Sequence, residues 1–432
     1  MSDKNSPRRH EEHGRAGQRR AERQHALAYR PRAADGALRS ALQRAGATLI
    51  EGPKGSGKTE MARQHGSSFI HVDTDPQAAN LMAIDPALLL AGDTPRVLDE
   101  WQVFPELWNH VRHEVDFRQA KGQFILTGST APGEKAPRHS GVGRFSRITL
   151  STMTFSETGH STGTASLRAL AHGADLQPMK SDLKIADVVE RMCRGGWPGW
   201  LDVSTSDAMA NARDYLRTVA EVDVATPDGV QRDPAKVIRL LKSLARAVGT
   251  EQSISTLAAD TGLGRDTVGD YLDALSRIFI SVDQPAWSTH PRSKATLRKA
   301  PKRHLVDPAL AVAALELTPS GLINNLEYTG QLFESQIIHE LRALSLDSVF
   351  HARDSNGREV DAVLSIDGQL LFVEVKLGSS PATLEQAAQS LHAFAAVHAP
   401  DLHPVLVVVT AGPLSFTRPD GVHVLSIGHL GA

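Results

Sequence analysis

At 432 residues, with 41% hydrophobic and 22% charged side chains, the chain is too long for one ordinary core and reads as about two to four globular domains. Its 47 Lys and Arg against 49 Asp and Glu give a formal net charge of −2, which removes any global bias toward nucleic acid. The single cysteine, Cys193, excludes an intrachain disulfide and a cysteine-cluster zinc site; no run approaches the roughly 18 apolar residues of a membrane span, so a reducing cytoplasm is expected and no membrane partner.

Residues 1–28 are crowded with arginine (Arg8, Arg9, Arg15, Arg19, Arg20, Arg23) and poor in apolar side chains, which predicts a disordered basic tail. The tail lacks the apolar stretch of a secretory signal. Over residues 29–158 helical and strand patterns alternate: 37–45 helix, Ala47–Glu51 strand, Lys58–His65 helix, 69–72 strand. A strand at 96–100, a helix at 108–117 and a strand at Phe124–Gly128 continue the series, and such alternation builds a parallel sheet.

Between the first strand and its helix lies Gly52-Pro53-Lys54-Gly55-Ser56-Gly57-Lys58-Thr59, a complete P-loop, or Walker A, pattern. A strand feeding a glycine-rich turn and then a helix surrounds a phosphate with backbone N–H groups. Lys58 then reaches the β- and γ-oxygens, and the Thr59 hydroxyl binds Mg²⁺. ATP and Mg²⁺ are therefore the expected cofactors. About 40 residues on, at the Walker B position, a short strand ends in Asp99 and Glu100. An aspartate there holds Mg²⁺ through water, and the next glutamate orients or deprotonates the attacking water; the plain alternative is a pair of solvated acids at a strand end. The strand Phe124–Gly128 ends in hydroxyl residues, Thr127 and Ser129, which either sense the γ-phosphate or carry the water, or simply cap the strand. Arg144 and Arg147 follow as arginine-finger candidates in an arginine-rich chain.

Residues 159–181, rich in Gly, Ser and Ala, read as a connector or insertion. Over 182–290 the pattern turns helical, at 185–193, 206–222 and 235–248, with the turn Gly195-Gly196-Trp197-Pro198-Gly199 after the first helix. Residues 255–261, a glycine turn at 262–264, residues 265–278 and a strand at 279–282 read as a winged helix-turn-helix. Arg265 and Thr267 would head a recognition helix in a DNA groove, while Asp266 and Asp270 beside them favour packing between domains.

The last block, 291–432, changes order: a helix at 330–344, strands at 348–353, Glu359–Ile366 and 370–377, a helix at 384–398 and a strand at 404–410. Residues two apart on a strand share a face, so Glu374 and Lys376 point one way, and Asp361 on the preceding strand of the hairpin can lie beside Glu374. Two such carboxylates suit Mg²⁺, a lysine beside them can polarise a phosphate or a water, and Glu334 offers a third carboxylate. The run Leu370-Leu371-Phe372-Val373 is too apolar for an exposed strand carrying a simple salt bridge.

Taken in order, these motifs resemble the bacterial and archaeal AAA-type ATPases (AAA_14-like) with a C-terminal DUF4143 region. The likeness rests on Gly52 to Thr59, Leu98-Asp99-Glu100-Trp101-Gln102 and Phe124 to Ser129. It extends to Tyr29-Arg30-Pro31-Arg32, Gly143-Arg144, Thr154-Phe155-Ser156-Glu157 and Gly195-Gly196-Trp197-Pro198. At the end of the chain it rests on Leu332-Phe333-Glu334, Arg358-Glu359-Val360-Asp361 and Val373-Glu374-Val375-Lys376. The resemblance implies an α/β protein: a P-loop NTPase parallel sheet, a helical and winged-helix middle, and a restriction-endonuclease-like PD-(D/E)xK domain. It implies that Lys58 and Thr59 hold phosphate and Mg²⁺, Asp99 the metal water and Glu100 the attacking water, with Asp361, Glu374 and Lys376 as a nuclease-type centre. Two departures stand out: Glu60 replaces the usual second threonine after the P-loop lysine, and residues 159–179 have no family counterpart.

The leading expectation is ATP hydrolysis coupled to a DNA-directed, nucleolytic C-terminal domain, in a chain able to form a homo-oligomer. The alternatives are a nucleotide-controlled regulator or scaffold with a catalytically silent nuclease-like domain, and a DNA-binding regulator that uses the winged helix.

Overall fold

The computed structural model describes residues 29–130, 141–288 and 300–432; the basic tail expected over 1–28 lies outside them. Five parallel strands, β1 (Ala47–Glu51), β2 (Ser68–His71), β3 (Arg96–Asp99), β4 (Phe124–Gly128) and β5 (Phe145–Thr149), form the first sheet in the order β2-β3-β4-β1-β5. Side chains alternate across it. Leu49, Leu98, Phe124 and Leu126 enter one core with Trp101, Trp108 and Val111, while Ile50, Val97 and Ile125 enter the other with Leu38, Met61 and Ala62. Burial on both faces is what their near-continuous apolar runs require of a parallel sheet. β4 lies between β1 and β3, so the loop after β1 and the acids after β3 face each other across the end of β4.

The sequence patterns place these elements within a few residues and pass over three. β5 carries alternating polar side chains and pairs only along β1; the short helices Ala78–Ile84 and Pro86–Leu90 are too brief for a clear period.

The stretch read as a connector does more than connect. β6 (Ala165–Ser166) pairs in parallel with β17 (Leu430–Gly431), and β7 (Met179–Lys180) joins β15 (Leu414–Thr417) antiparallel. A two-residue strand shows no period of its own, so the sequence carries no sign of it.

The middle is a stack of helices, Ile185–Arg194, Thr205–Glu221 and Pro234–Arg246, followed by Ile254–Thr261 and Arg265–Arg277. Gly262 (φ +68°) caps the first of the latter pair. β8 (Thr250–Glu251), β9 (Ser281–Gln284) and β10 (Lys302–Leu305) form a small antiparallel sheet, called the winged sheet below, in the order β8-β10-β9.

The C-terminal sheet runs β11 (Phe350–Arg353), β12 (Glu359–Ile366), β13 (Gln369–Lys376), β14 (Val405–Thr410), β16 (His423–Ser426), β15, β7. Its Val363, Phe372, Val408 and Val424 pack against the helix Pro381–His398. Its other face, with Ala362, Val373, Val375 and Val407, shares one continuous core with the helix Leu326–Ser345 and the middle helices. The winged sheet is anchored to the edge of this sheet: Gln284 Nε2 donates to the carbonyls of Asp361 (2.8 Å) and Phe350 (3.0 Å).

Candidate functional site

The chain leaves β1 through Gly52 at φ +152°, where a Cβ would stand 2.2 Å from the Leu150 carbonyl oxygen, so the turn admits no side chain. Gly57 (φ +97°) ends the loop as N-cap of the helix Lys58–His65. Lys58 is buried, and its Nζ donates to the loop's own carbonyls at Gly52 (3.0 Å) and Pro53 (2.8 Å). Burial pulls its pKa down to about 8, against the nearby Glu100 and Asp99 charges that favour the ammonium. Thr59 Oγ1 donates to Asp99 Oδ1 at 2.9 Å, although Asp99 sits two strands away on β3. Thr127 Oγ1 donates to the same oxygen, and His71 Nδ1 lies 2.9 Å from Oδ2. His71 was missed at the sequence level, and Thr127 was read there as a strand-end hydroxyl facing phosphate or water; both lie near the ends of the strands flanking β3, which only the strand order brings beside Asp99.

Glu100 follows in a left-handed turn (φ +55°), with its N–H on Thr127 Oγ1 at 3.3 Å. Its Oε2 receives Gln102 Nε2 and, at 3.3 Å, Ser129 Oγ. Asp99, Glu100, Ser129, Lys58 and Thr59 thus meet at one end of the sheet. Ser56 Oγ is buried there without a hydrogen-bond partner. An ammonium resting only on loop carbonyls, a spare buried hydroxyl and a Thr–Asp pair form a donor set that fits a triphosphate with a hard divalent cation.

Arg144 lies elsewhere. Its carbonyl accepts from Ala47 N (3.1 Å) at the opposite end of β1, four residues or roughly 13 Å from the loop, and its guanidinium pairs with Asp116 at 2.9 Å. A finger role toward its own P-loop is therefore ruled out by position. Arg147 pairs with Glu51 at 3.6 Å.

The loop is gripped from outside by motifs whose purpose was opaque in the sequence. Arg32, buried, donates from Nη1 to Ser56 O (2.8 Å) and from Nη2 to Ser151 O (2.8 Å), with Nε 3.2 Å from Glu157 Oε1. The Lys54 carbonyl accepts from Trp197 Nε1 (3.0 Å) and Tyr215 OH (3.3 Å), and its ammonium reaches Asp223 at 2.6 Å. Lys54, Pro53 and Gly55 therefore form the joint between sheet and middle helices as well as the rim of the cradle. Asp307 ties the same turn together, accepting from Gly196 N (2.9 Å) and Thr152 Oγ1 (2.7 Å).

The second constellation also assembles. The antiparallel register that pairs Ala362 with Val373 sets Asp361 opposite Glu374. Asp361 Oδ2 accepts from Val375 N at 2.8 Å, and Lys376 Nζ bonds Glu374 Oε1 at 2.7 Å. An unforeseen residue stands among them: Lys302 of β10, with Nζ 2.8 Å from Glu334, 2.7 Å from Glu359 and 3.7 Å from Asp361. Burial works against charge on Lys302, yet Glu334, Asp361 and Glu359 outweigh it and hold the ammonium well above its ordinary pKa. Four carboxyls face two ammoniums, so burial and then the Asp361 charge push Glu334 and Glu374 upward. Glu334, Asp361 and Glu374 were expected to hold a metal; among the described residues no group of three or more His, Cys, Asp or Glu is arranged to hold a metal ion. The Lys302 ammonium stands against two of them, Glu334 and Asp361. Lys302 was illegible because it reaches the carboxylates from another sheet.

Arg265 is exposed just after the N-cap Gly264 of its helix, and Thr267 is half-buried. Nearby, Asp270 is engaged by Arg232 at 2.8 Å.

Known proteins bear on three stretches. Residues 44–159, which hold the P-loop and both acids, match the family model described as "AAA domain". These residues form an AAA domain. Residues 185–321, C-terminal to the AAA domain, match a domain of unknown function, DUF8612, and residues 329–430 match another, DUF4143. Two uncharacterized proteins, Mb2031c of Mycobacterium bovis and Rv2008c of Mycobacterium tuberculosis, are each 26% identical over 352 residues, 80% of this chain and 73% of theirs. The crystal structure of protein VC1899 from Vibrio cholerae aligns over 88% of this chain and 94% of its own at 10% identity, with a TM-score of 0.18 that carries no weight for fold or function. Among the described residues no helix is long and apolar enough to cross a membrane.

Proposed function

We propose that the chain binds ATP with Mg²⁺ at the AAA domain, hydrolyses it, and passes nucleotide state to a DNA-directed C-terminal domain. One observation carries the nucleotide reading: Thr59 Oγ1 bonded to Asp99 Oδ1 beside a buried Lys58. Bound Mg²⁺ would neutralise charge on the β- and γ-phosphates. Lys58 would exchange its two loop carbonyls for phosphate oxygens, with the cradle amides from Gly52 to Thr59 around them. Glu100, its carboxylate fixed by Gln102 and Ser129, would orient a water and accept its proton. Coupling is supported by Lys54, whose carbonyl and ammonium both engage the middle helices, so a loop that moves on binding phosphate pulls on Trp197, Tyr215 and Asp223. For Arg144, exposed and remote from its own loop, the finger role requires a second copy of the chain.

The test is nucleotide affinity and turnover of the full chain beside Lys58→Ala and Glu100→Gln, each with and without duplex DNA. Retained ATP binding and hydrolysis in Lys58→Ala rejects the proposal. A nucleotide-controlled regulator with a silent nuclease-like domain is the second reading, favoured by Lys302 among the carboxylates. Metal-dependent DNA cleavage lost in Asp361→Ala, with ATP turnover intact, would exclude it. ATP-modulated, salt-dependent duplex binding lost in Arg265→Ala would place DNA contact on the winged helix.

A further inference from the structure

We infer that the Lys302 ammonium holds the cation position of the C-terminal carboxylate group, so that the chain in this conformation carries an internal cation in place of a divalent metal. The inference rests on the carboxylate reading above and is independent of the nucleotide site. The Lys302 side chain is only 5% exposed and spans Glu334, Glu359 and Asp361, which come from a helix and a strand of the C-terminal domain. These are contacts of an ion inside a cage. Beside the cage, Glu374 is 8% exposed; Lys376 Nζ bonds its Oε1 at 2.7 Å, and its buried Oε2 has no hydrogen-bond partner.

A lysine and a metal ion cannot share this space. The ammonium sits 2.7–2.8 Å from two carboxylate oxygens, whereas Mg²⁺ or Mn²⁺ needs oxygens at about 2.0–2.2 Å and would be repelled by a neighbouring positive charge. What places Lys302 is the winged sheet. Its strand pairs with β9 at Gln284, and Gln284 is bonded to the Asp361 carbonyl. The backbone of Lys302 is thereby tied to the strand that carries Asp361.

The experiment measures Mn²⁺ binding to the full chain without nucleotide, by electron paramagnetic resonance of free Mn²⁺ and by calorimetry. Wild type, Lys302→Met, Asp361→Asn and the double variant are compared. Wild type and Asp361→Asn should take up Mn²⁺ equally weakly. Lys302→Met should gain one Mn²⁺ per chain, at least about tenfold tighter, lost again in the double variant. An Asp361-dependent Mn²⁺ in wild type, or no gain in a folded Lys302→Met, overturns the inference. If Lys302→Met does not fold, wild type against Asp361→Asn still decides: equal uptake supports it and unequal uptake refutes it. ATP turnover in the same samples separates the two ideas, since its absence would sink the nucleotide proposal and leave the Mn²⁺ result standing.

Discussion

Replacing Arg32 by methionine tests whether the grip on the P-loop is a structural requirement of the cradle. Methionine keeps most of the length and apolar volume but removes the three contacts: Ser56 O and Ser151 O at 2.8 Å each, and Glu157 at 3.2 Å. A hydrogen bond from a charged donor contributes about 1.5–3 kcal/mol, so the two carbonyl contacts alone amount to roughly 3–6 kcal/mol. Breaking a buried ion pair by removing one partner costs about 3–5 kcal/mol, but this overlaps with the first figure because the guanidinium is shared. Glu157 also keeps the backbone donors of Ala33 (2.7 Å) and Thr154 (2.8 Å), which limits the damage. The expected loss is therefore about 3–5 kcal/mol for the unit containing the AAA domain. Urea unfolding followed by tryptophan fluorescence reads it, with ATP affinity measured below the transition. Affinity should fall as well, because Ser56 lies inside the loop. A variant within about 1 kcal/mol of wild type and with unchanged affinity would refute the reasoning, since that range belongs to exposed ion pairs.

Lys58→Ala should abolish ATP binding, because Lys58 is the buried ammonium of the cradle; calorimetric titration checks it. Glu100→Gln should bind ATP normally and turn over roughly 10²-fold or more slower, the scale of a positioned base, and wild-type turnover would reject the role. ATP affinity should fall as pH rises above about 8, where unliganded Lys58 loses its proton and phosphates favour the protonated form. Binding then takes up at most one proton, so the slope reaches up to about tenfold per pH unit, and a Lys58→Arg chain that still binds should show none of it. Nucleotide should change tryptophan emission through Trp197, whose Nε1 holds the Lys54 carbonyl, and Trp197→Phe should remove that response.

The AAA domain was readable along the chain because its signals are local. A P-loop needs glycine where the backbone turns left-handed, as at Gly57, and its strands need apolar runs to be buried on both faces. The pairing of Asp361 with Glu374 was equally accessible, since a tight hairpin fixes register between neighbouring strands. β6 and β7, each two residues long, gave no such signal, because short edge strands exist only through their partners.

Sequence alone decided which groups could carry chemistry: an ammonium and hydroxyl after a glycine turn, acids at strand ends, and carboxylates on a buried hairpin. Tertiary structure alone decided how those groups are engaged. The insertion of β4 between β1 and β3 brings Thr127 onto Asp99, and the sheet's direction carries Arg144 away from the loop. Docking of the winged sheet puts Lys302 into the cage of Glu334, Glu359 and Asp361. The physical reason is range: backbone geometry and burial act over a few residues, whereas charges pair with whatever distant segment the packed core brings within about 3–4 Å.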